Sequence, residues 1–390
     1  MIYLDNAATT YPKPPSVRQA VAEAFLHYGA NPGRGGHAMA MASAAAVYAC
    51  RETVADFFGL EDPSGVIFTA NCTAALNYVI KGLLTHGGHA VISSCEHNAV
   101  IRPLTALSER GVTFTEATVY PEDPARTVES FRLAIRPDTR LVLSTHASNV
   151  GGWRLPIREI GALAHRFSLP FAVDAAQSAG ILPINMVRDN VDYVCLPGHK
   201  ALYGPMGTGV LLCRGDALLE TVLEGGTGSA SLSSEQPTEL PDRLESGTLG
   251  VPGICGFHAG LKFVKQHGRE ALAAKETACM RLLYDRVADV RGIRLHTPRP
   301  DLSKAVPMVT LTVEGMSSET VAAELSAAGI AVRAGLHCAP NAHRMMGTLP
   351  QGAVRVCPSA FTTVAEVDET AKNLCKITRK ALQSSLNMLK

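Results

Sequence analysis

A chain of 390 residues is long for one core, and its 46% hydrophobic and 18% charged side chains describe a packed globular protein, which excludes a disordered one. Its 36 basic and 35 acidic residues give a formal net charge of +1, so nothing in the balance points to nucleic acid or an anionic membrane as a partner. The opening MIYLDNAATT lacks the basic start and apolar run of a signal peptide, and no later stretch is apolar for long enough to span a bilayer; a cytoplasmic enzyme is expected.

Along the first two thirds, short apolar runs alternate with segments of helical period. The runs are GVIFTA (65–70), HAVISS (89–94), TRLVLSTHAS (139–148), PFAVDAA (170–176), DYVCLP (192–197) and GTGVLLC (207–213). Between them, stretches such as CTAALNYVIKGLLTHG and PIREIGALAHRFS repeat their apolar residues at spacings of three and four. This alternation predicts an α/β layer structure with a mainly parallel sheet, whose site lies at the carboxyl ends of the strands.

A polar, Gly/Ser-rich stretch at 224–250 breaks the rhythm and reads as a long functional loop, because strong periodicity resumes after it. Residues from about 252 to 285 read as one long helix leading into a smaller α+β unit. There MVTLTVEG (308–315), IAVRAG (330–335) and GAVRVCPS (352–359) are expected strands, and SSETVAAELSAAG (317–329) is a helix capped by serine and stopped by glycine. A last helix closes the chain. The expected division is an N-terminal arm at 1–14, a large domain at 15–253 and a small C-terminal domain at 254–390.

Three features of the large domain form a compatible chemical set. Lys200 follows a buried-looking strand on the glycine-rich loop PGHKALYGPMGTG. Asp174 ends an apolar strand in FAVDAAQSAG, where a buried carboxylate needs a cationic partner. FTANCTAALN (68–77) runs from strand into helix with Thr73 at the start, and the free N–H groups of a helix N-terminus suit a phosphate. A Schiff-base lysine with an acidic residue on the pyridinium is the minimal pair for pyridoxal phosphate.

The ten cysteines, at 50, 72, 95, 195, 213, 255, 279, 338, 357 and 375, show no C-x-x-C pair, so reduced thiols used as small hydrophobes are expected for most. Cys338 differs, since Gly335 and Pro340 mark GLHCAP as a loop. It reads as a nucleophile or as a ligand with His337 and His343, whose spacing fits no standard zinc pattern; no metal is expected.

With YLDNAATT, EHNAV, SNVGG, VDAAQ, GHKALYGP, ESGT and RAGLHCAP in order, the chain resembles the cysteine desulfurases, fold-type I pyridoxal-phosphate enzymes of the class-V aminotransferase family. The resemblance covers nearly the whole length. It implies a large domain with a mainly parallel seven-stranded sheet and conversion of L-cysteine to L-alanine, with the sulfur held as a persulfide on Cys338 before passing to an acceptor protein. Lys200 would carry the cofactor and move protons, Asp174 would pair with the pyridine nitrogen, and Gln177 would bond the ring's phenolic oxygen. His97 would stack on the ring and act with Lys200 and Cys338 as a catalytic residue that moves protons. Cys72 through its amide, Thr73 and His199 would bind the phosphate, as would Thr248 from a neighbouring subunit, which implies a homodimer. Asn149 would contact the cofactor and, with Arg355 and Ala8 of the arm, would receive the substrate. Selenocysteine lyase shares this pattern, as does a class-V aminotransferase or C–S lyase in which Cys338 is incidental.

The chain departs from the family's pattern at three places. Pro197 stands where a phosphate-binding serine is usual, Ala74 where glutamate often follows the threonine, and Leu336 where desulfurases with this short loop often have a first histidine.

Overall fold

The computed structural model describes residues 1–33, 35–215, 219–349 and 351–388, with side chains through 383. The elements of the first part are β1 (Ile2–Tyr3), α1 (Pro15–His27), α2 (Ala38–Phe58), β2 (Val66–Thr69), α3 (Cys72–Leu84), β3 (Gly88–Ser93), α4 (Asn98–Ala106), β4 (Val112–Ala117), α5 (Pro124–Ala134), β5 (Thr139–Thr145), α6 (Ile157–Arg166), β6 (Phe171–Asp174), β7 (Tyr193–Pro197) and β8 (Gly209–Cys213). They are followed by α7 (Val251–His267), α8 (Arg269–Val287), β9 (Ile293–Leu295), β10 (Val309–Val313), α9 (Ser318–Ala327), β11 (Ile330–Ala331), α10 (Pro340–Met346), β12 (Val354–Val356) and α11 (Val364–Met388).

Seven strands form one sheet in the order β2-β8-β7-β6-β5-β3-β4, parallel from β7 through β4, with β8 antiparallel to both its neighbours. Its central strands are continuous apolar runs because both faces are covered. One face meets Val54, Phe58, Ile160, Phe257 and Leu261 of α2, α6 and α7; the other meets Leu76, Ile80, Val100 and Leu104 of α3 and α4. Two reversals of direction at β8 leave β2 pointing the same way as β7. The carboxyl ends of β2, β3, β5, β6 and β7 therefore share one edge of the sheet.

The C-terminal unit is a three-stranded antiparallel sheet, β12-β10-β9, packed on α8, α9 and α11 through Met280, Leu283, Leu325, Leu374 and Ile377. Ser317 caps α9 by accepting from the Thr320 amide, as its position before an apolar helix predicts. The N-terminal arm belongs to this unit as much as to the first. β1 pairs in parallel with β11, Ile2 opposite Ile330, and Leu4 is buried in the small core.

Two sequence expectations change. The single helix expected over 252–285 is two, because Gly268 adopts φ +78°, a left-handed conformation that stops α7 and starts α8. The border expected between 253 and 254 would cut α7. Val251, Ile254, Phe257 and Leu261 belong to the core around the large sheet, while Met280 and Leu283 of α8 belong to the small core. Strands β4 and β9 were not anticipated. Their mixed polar and apolar residues, VTFTEA and IRL, resemble loop composition, and β4 is an edge strand with much of its surface open.

Candidate active site

The pocket at the strand ends is lined by Asn71, Cys72, Thr73, His97, Thr145, Asn149, Asp174, Gln177, Pro197, His199 and Lys200, among others. Each arrives by the same device, a strand ending at the shared edge and a turn that places the next few side chains over it. Asp174 is the last residue of β6 and is 3% exposed. Its Oδ1 accepts from the Ala176 amide at 2.8 Å and from the Cys72 thiol at 3.6 Å. The thiol of Cys72 is thus committed to the carboxylate, a contact its sequence position did not suggest. Burial and the neighbouring carboxylate both hold that thiol well above its ordinary pKa, so it stays protonated and donates.

Asn71 accepts from the Ala74 amide at 2.9 Å and caps α3, so the helix starts at the pocket wall with Cys72 and the exposed Thr73 in its first turn. His97 caps α4 in the same way, its Nδ1 accepting from the Ala99 amide at 3.0 Å. That bond places the ring proton of neutral His97 on Nε2. Burial lowers its pKa, with Asp174 opposing, so the neutral ring is favoured.

Lys200 lies on the turn after β7, its amine lowered below the usual lysine pKa by burial and raised in part by Asp174. The turn is clamped by the N-terminal arm. The His199 carbonyl accepts from the Thr10 amide at 3.1 Å and from Lys13 Nζ at 2.7 Å, and the Lys200 carbonyl accepts from Thr10 Oγ1 at 3.0 Å. His199 Nδ1 is buried with no protein partner, and burial beside Lys200 and Lys13 lowers its ring to a pKa of about 4. Gln177 donates to the Ala7 carbonyl at 3.1 Å, and Ala8 is tied within the arm by its amide to the Asp5 carbonyl at 3.0 Å.

The small unit supplies the opposite rim. Arg355 on β12 is 2% exposed; its Nη1 donates to the Asn149 carbonyl at 2.7 Å, its Nη2 to Asp5 Oδ1 at 3.2 Å, and its Nε has no protein partner. Burial lowers this guanidinium below its usual pKa, with Asp5 among the groups opposing that. Asp5 was not singled out from the sequence; its role arises from a contact across 350 residues. Cys338 is the only cysteine exposed at the surface among the described residues. Its carbonyl accepts from the Asn98 amide at 2.7 Å, and the preceding His337 carbonyl accepts from Asn149 Nδ2 at 2.7 Å. The exposed loop cysteine is therefore bonded to the start of α4 beside His97, and its neighbour His337 to Asn149, whose carbonyl accepts from Arg355.

The ligand set weighed for a metal does not assemble: His337 and His343 bond each other, and among the described residues no cluster of His, Cys, Asp or Glu could hold an ion. Thr248 lies away from the pocket, exposed, its Oγ1 accepting from Asn31 at 3.3 Å. Glu96, beside His97 in sequence, was also unassigned. It is wholly buried, and its Oε1 accepts from Ser93 and from the Thr145 amide, while Oε2 has no partner.

The chain is similar to known proteins over nearly its whole length. The aminotransferase class-V family matches residues 2–370. A probable cysteine desulfurase of Methanothermobacter thermautotrophicus is 31% identical over 385 residues, covering 96% of this chain and 94% of that protein. One of Mycolicibacterium paratuberculosis is 32% identical over 378 residues, covering 94% of this chain and 54% of that longer protein. The solved apo structure of the cysteine desulfurase from Thermococcus onnurineus NA1 superimposes with a TM-score of 0.90 at 29% identity, over 97% of this chain and 95% of that one. The chain belongs to the class-V aminotransferase family, with its cysteine desulfurases.

Proposed function

We propose that the protein is a pyridoxal-phosphate-dependent cysteine desulfurase that converts L-cysteine to L-alanine and retains the sulfur on Cys338. The observation that carries this reading is the tethering of exposed Cys338 to the rim of the Lys200–Asp174 pocket, through the Asn98 amide and Asn149. The residues fit the cofactor. Asp174 offers a buried carboxylate that needs a cationic ring nitrogen, His199 Nδ1 is a buried polar atom without a protein partner, and the α3 N-terminus suits a phosphate.

Bound there, pyridoxal phosphate supplies an electron sink that makes the sulfur of cysteine electrophilic. Lys200, lowered by burial, holds and moves a proton at Nζ. Arg355, with Nε unpartnered and its plane fixed by Asn149 and Asp5, orients the substrate carboxylate. His97 would cover the cofactor ring, Thr73, Cys72 and His199 would hold its phosphate, and Gln177 would bond its phenolic oxygen. The net reaction balances without an outside redox partner: the Cys338 thiol and cysteine give a Cys338 persulfide and alanine. A sulfur-acceptor protein then takes the terminal sulfur. Thr248, exposed and outside its own pocket, reaches the phosphate site of a second chain, and exposed Met39, Met41 and Tyr48 on α2 leave apolar surface for such a homodimer.

The test is incubation of the cofactor-loaded protein with L-cysteine, following alanine and protein-bound persulfide together. Wild type forms both and Cys338→Ser forms neither. Alanine release by Cys338→Ser at the wild-type rate overturns the assignment and leaves a C–S lyase or aminotransferase. Turnover of selenocysteine alongside cysteine separates the lyase.

A further inference from the structure

Beneath the cysteine loop lies a chain of buried polar side chains outside the pocket. His337 Nδ1 and His343 Nε2 are 3.1 Å apart, their rings stack 5° from parallel with centroids 5.3 Å apart, and His343 Nδ1 lies 2.7 Å from Thr348 Oγ1. His343 and Thr348 are fully buried and His337 is 6% exposed. The far end fixes the direction of every proton. His337 Nε2 lies 3.5 Å from the Arg333 carbonyl, an acceptor, so Nε2 carries the hydrogen and Nδ1 a lone pair. His343 Nε2 then donates to His337, and the Thr348 hydroxyl, which also lies 3.4 Å from the His343 carbonyl, donates at its shorter contact to His343 Nδ1. Both rings are neutral, burial placing His337 at about 3 and His343 at about 4.

The loop above this chain needs holding. His337 and Cys338 are consecutive non-glycine residues at φ +52° and +56°, a conformation L-residues adopt singly and at a cost. Gly352, at φ +66°, brings the next strand so close that a Cβ there would meet the Gly335 backbone at 2.7 Å, and the Ala353 amide donates to the Gly335 carbonyl at 3.1 Å. The loop is bonded at its backbone to Asn98, Asn149 and Ala353; two of its side chains are buried, Ala339 among apolar neighbours and His337, the polar one, on the relay.

We propose that Thr348 and His343 are positioning residues for sulfur transfer, acting through a one-directional hydrogen-bond chain that locks His337 and so presents Cys338 in its left-handed turn. This rests on the reading of Cys338 as the sulfur acceptor. Neither residue lines the pocket, so binding of substrate carboxylate and cofactor is expected to stand without them.

The test uses the cofactor-loaded protein with Thr348→Val, Thr348→Ser, His343→Phe and His343→Gln. Valine keeps the shape of Thr348 and removes its donor. Glutamine keeps an N–H near the place of His343 Nε2, and phenylalanine does not. Expected in T348V and H343F is a fall of about tenfold in kcat with KM for cysteine within twofold, and recovery to within threefold in T348S and H343Q. Amide hydrogen exchange over residues 335–340 is expected to rise at least tenfold in T348V and H343F, with distant peptides unchanged. Unchanged kcat and exchange in both variants overturn the proposal. So does a fall that comes with general loss of Tm and bound cofactor and is not recovered by T348S or H343Q. If T348V does not fold, the contrast between H343F and H343Q decides. The exchange is measured without substrate and so reports on the relay even if Cys338→Ser shows that alanine formation does not need Cys338, which separates failure of the relay from failure of the desulfurase reading.

Discussion

Arg355 shows how a single residue's chemistry depends on what surrounds it. Its guanidinium is buried, two of its nitrogens are bonded to Asn149 and Asp5, and the third is unpartnered. Lysine at this position keeps the charge and loses the planar fork, and one charge-assisted bond is worth about 1.5–3 kcal/mol, so Arg355→Lys is expected to raise KM for cysteine about 10- to 100-fold while bound cofactor is unchanged. Steady-state kinetics with absorbance of the loaded protein checks both halves. Glu96 carries a pH signature. Burial raises its carboxyl to about 8, so between about 4.5 and 8 the folded protein keeps a proton that the unfolded chain has released. Stability from this group is full below the unfolded value and is lost as pH rises through the folded one. Glu96→Gln removes the titration, and the Tm of the variant relative to wild type is expected to climb from pH 5 to pH 8; a flat difference would reject a protonated Glu96. The sequence made Lys200, Asp174 and His97 legible as candidates because each stands in a short motif at a strand or helix end, and Arg355 because it stands within the expected strand GAVRVCPS. It could not show Asp5, Glu96 or the thiol of Cys72 on Asp174, since those roles come from contacts between distant segments.

At the scale of elements, a buried ion pair ties the long loop to the sheet. Arg51 on α2 and Glu245 near the end of the 224–250 segment are nearly inaccessible and doubly bonded, Arg51 Nη1 to Glu245 Oε1 at 2.9 Å and Nη2 to Oε2, and Glu245 also accepts from the Phe68 amide of β2. Removing one partner leaves a buried charge, which costs about 3–5 kcal/mol, whereas removing both is far milder. Glu245→Ala is therefore expected to lose about that much stability in urea titration, and Arg51→Met with Glu245→Leu much less; equal losses would show that the pair is not coupled. The loop's composition announced an irregular segment, and its anchor was illegible, because an Arg and a Glu 194 positions apart carry no pairing signal. Helix limits were legible where a cap or a glycine marks them, as at Ser317. Gly268 was missed as a break because the helical period continues on both sides of it.

For the whole molecule, the arm is one of the pieces that join the two parts, beside the bonds of Asn98 and Asn149 to the cysteine loop and of Arg355 to Asn149. Residues 2–5 pair with β11 and meet β12, and Thr10 and Lys13 hold the carbonyls around Lys200, so one short segment bonds to both rims of the pocket. The homodimer proposed for Thr248 is checked by sedimentation equilibrium, which should give about twice the 41.3 kDa of one chain. Thr248→Ala should weaken retention of pyridoxal phosphate without changing that mass, and a monomeric mass at working concentration would remove Thr248 from the site.

By itself the sequence determined the layered α/β class, the strand ends that bear chemistry and the residue types that suit the cofactor, because periodicity, caps and short motifs are local properties of a chain. Tertiary structure alone decided that Gly268 separates α7 from α8, that Asp5 shares Arg355, and that two left-handed residues at 337 and 338 stand on a buried line from Thr348 through His343. Those outcomes depend on which distant segments pack together, and burial makes each polar contact obligatory only once they do.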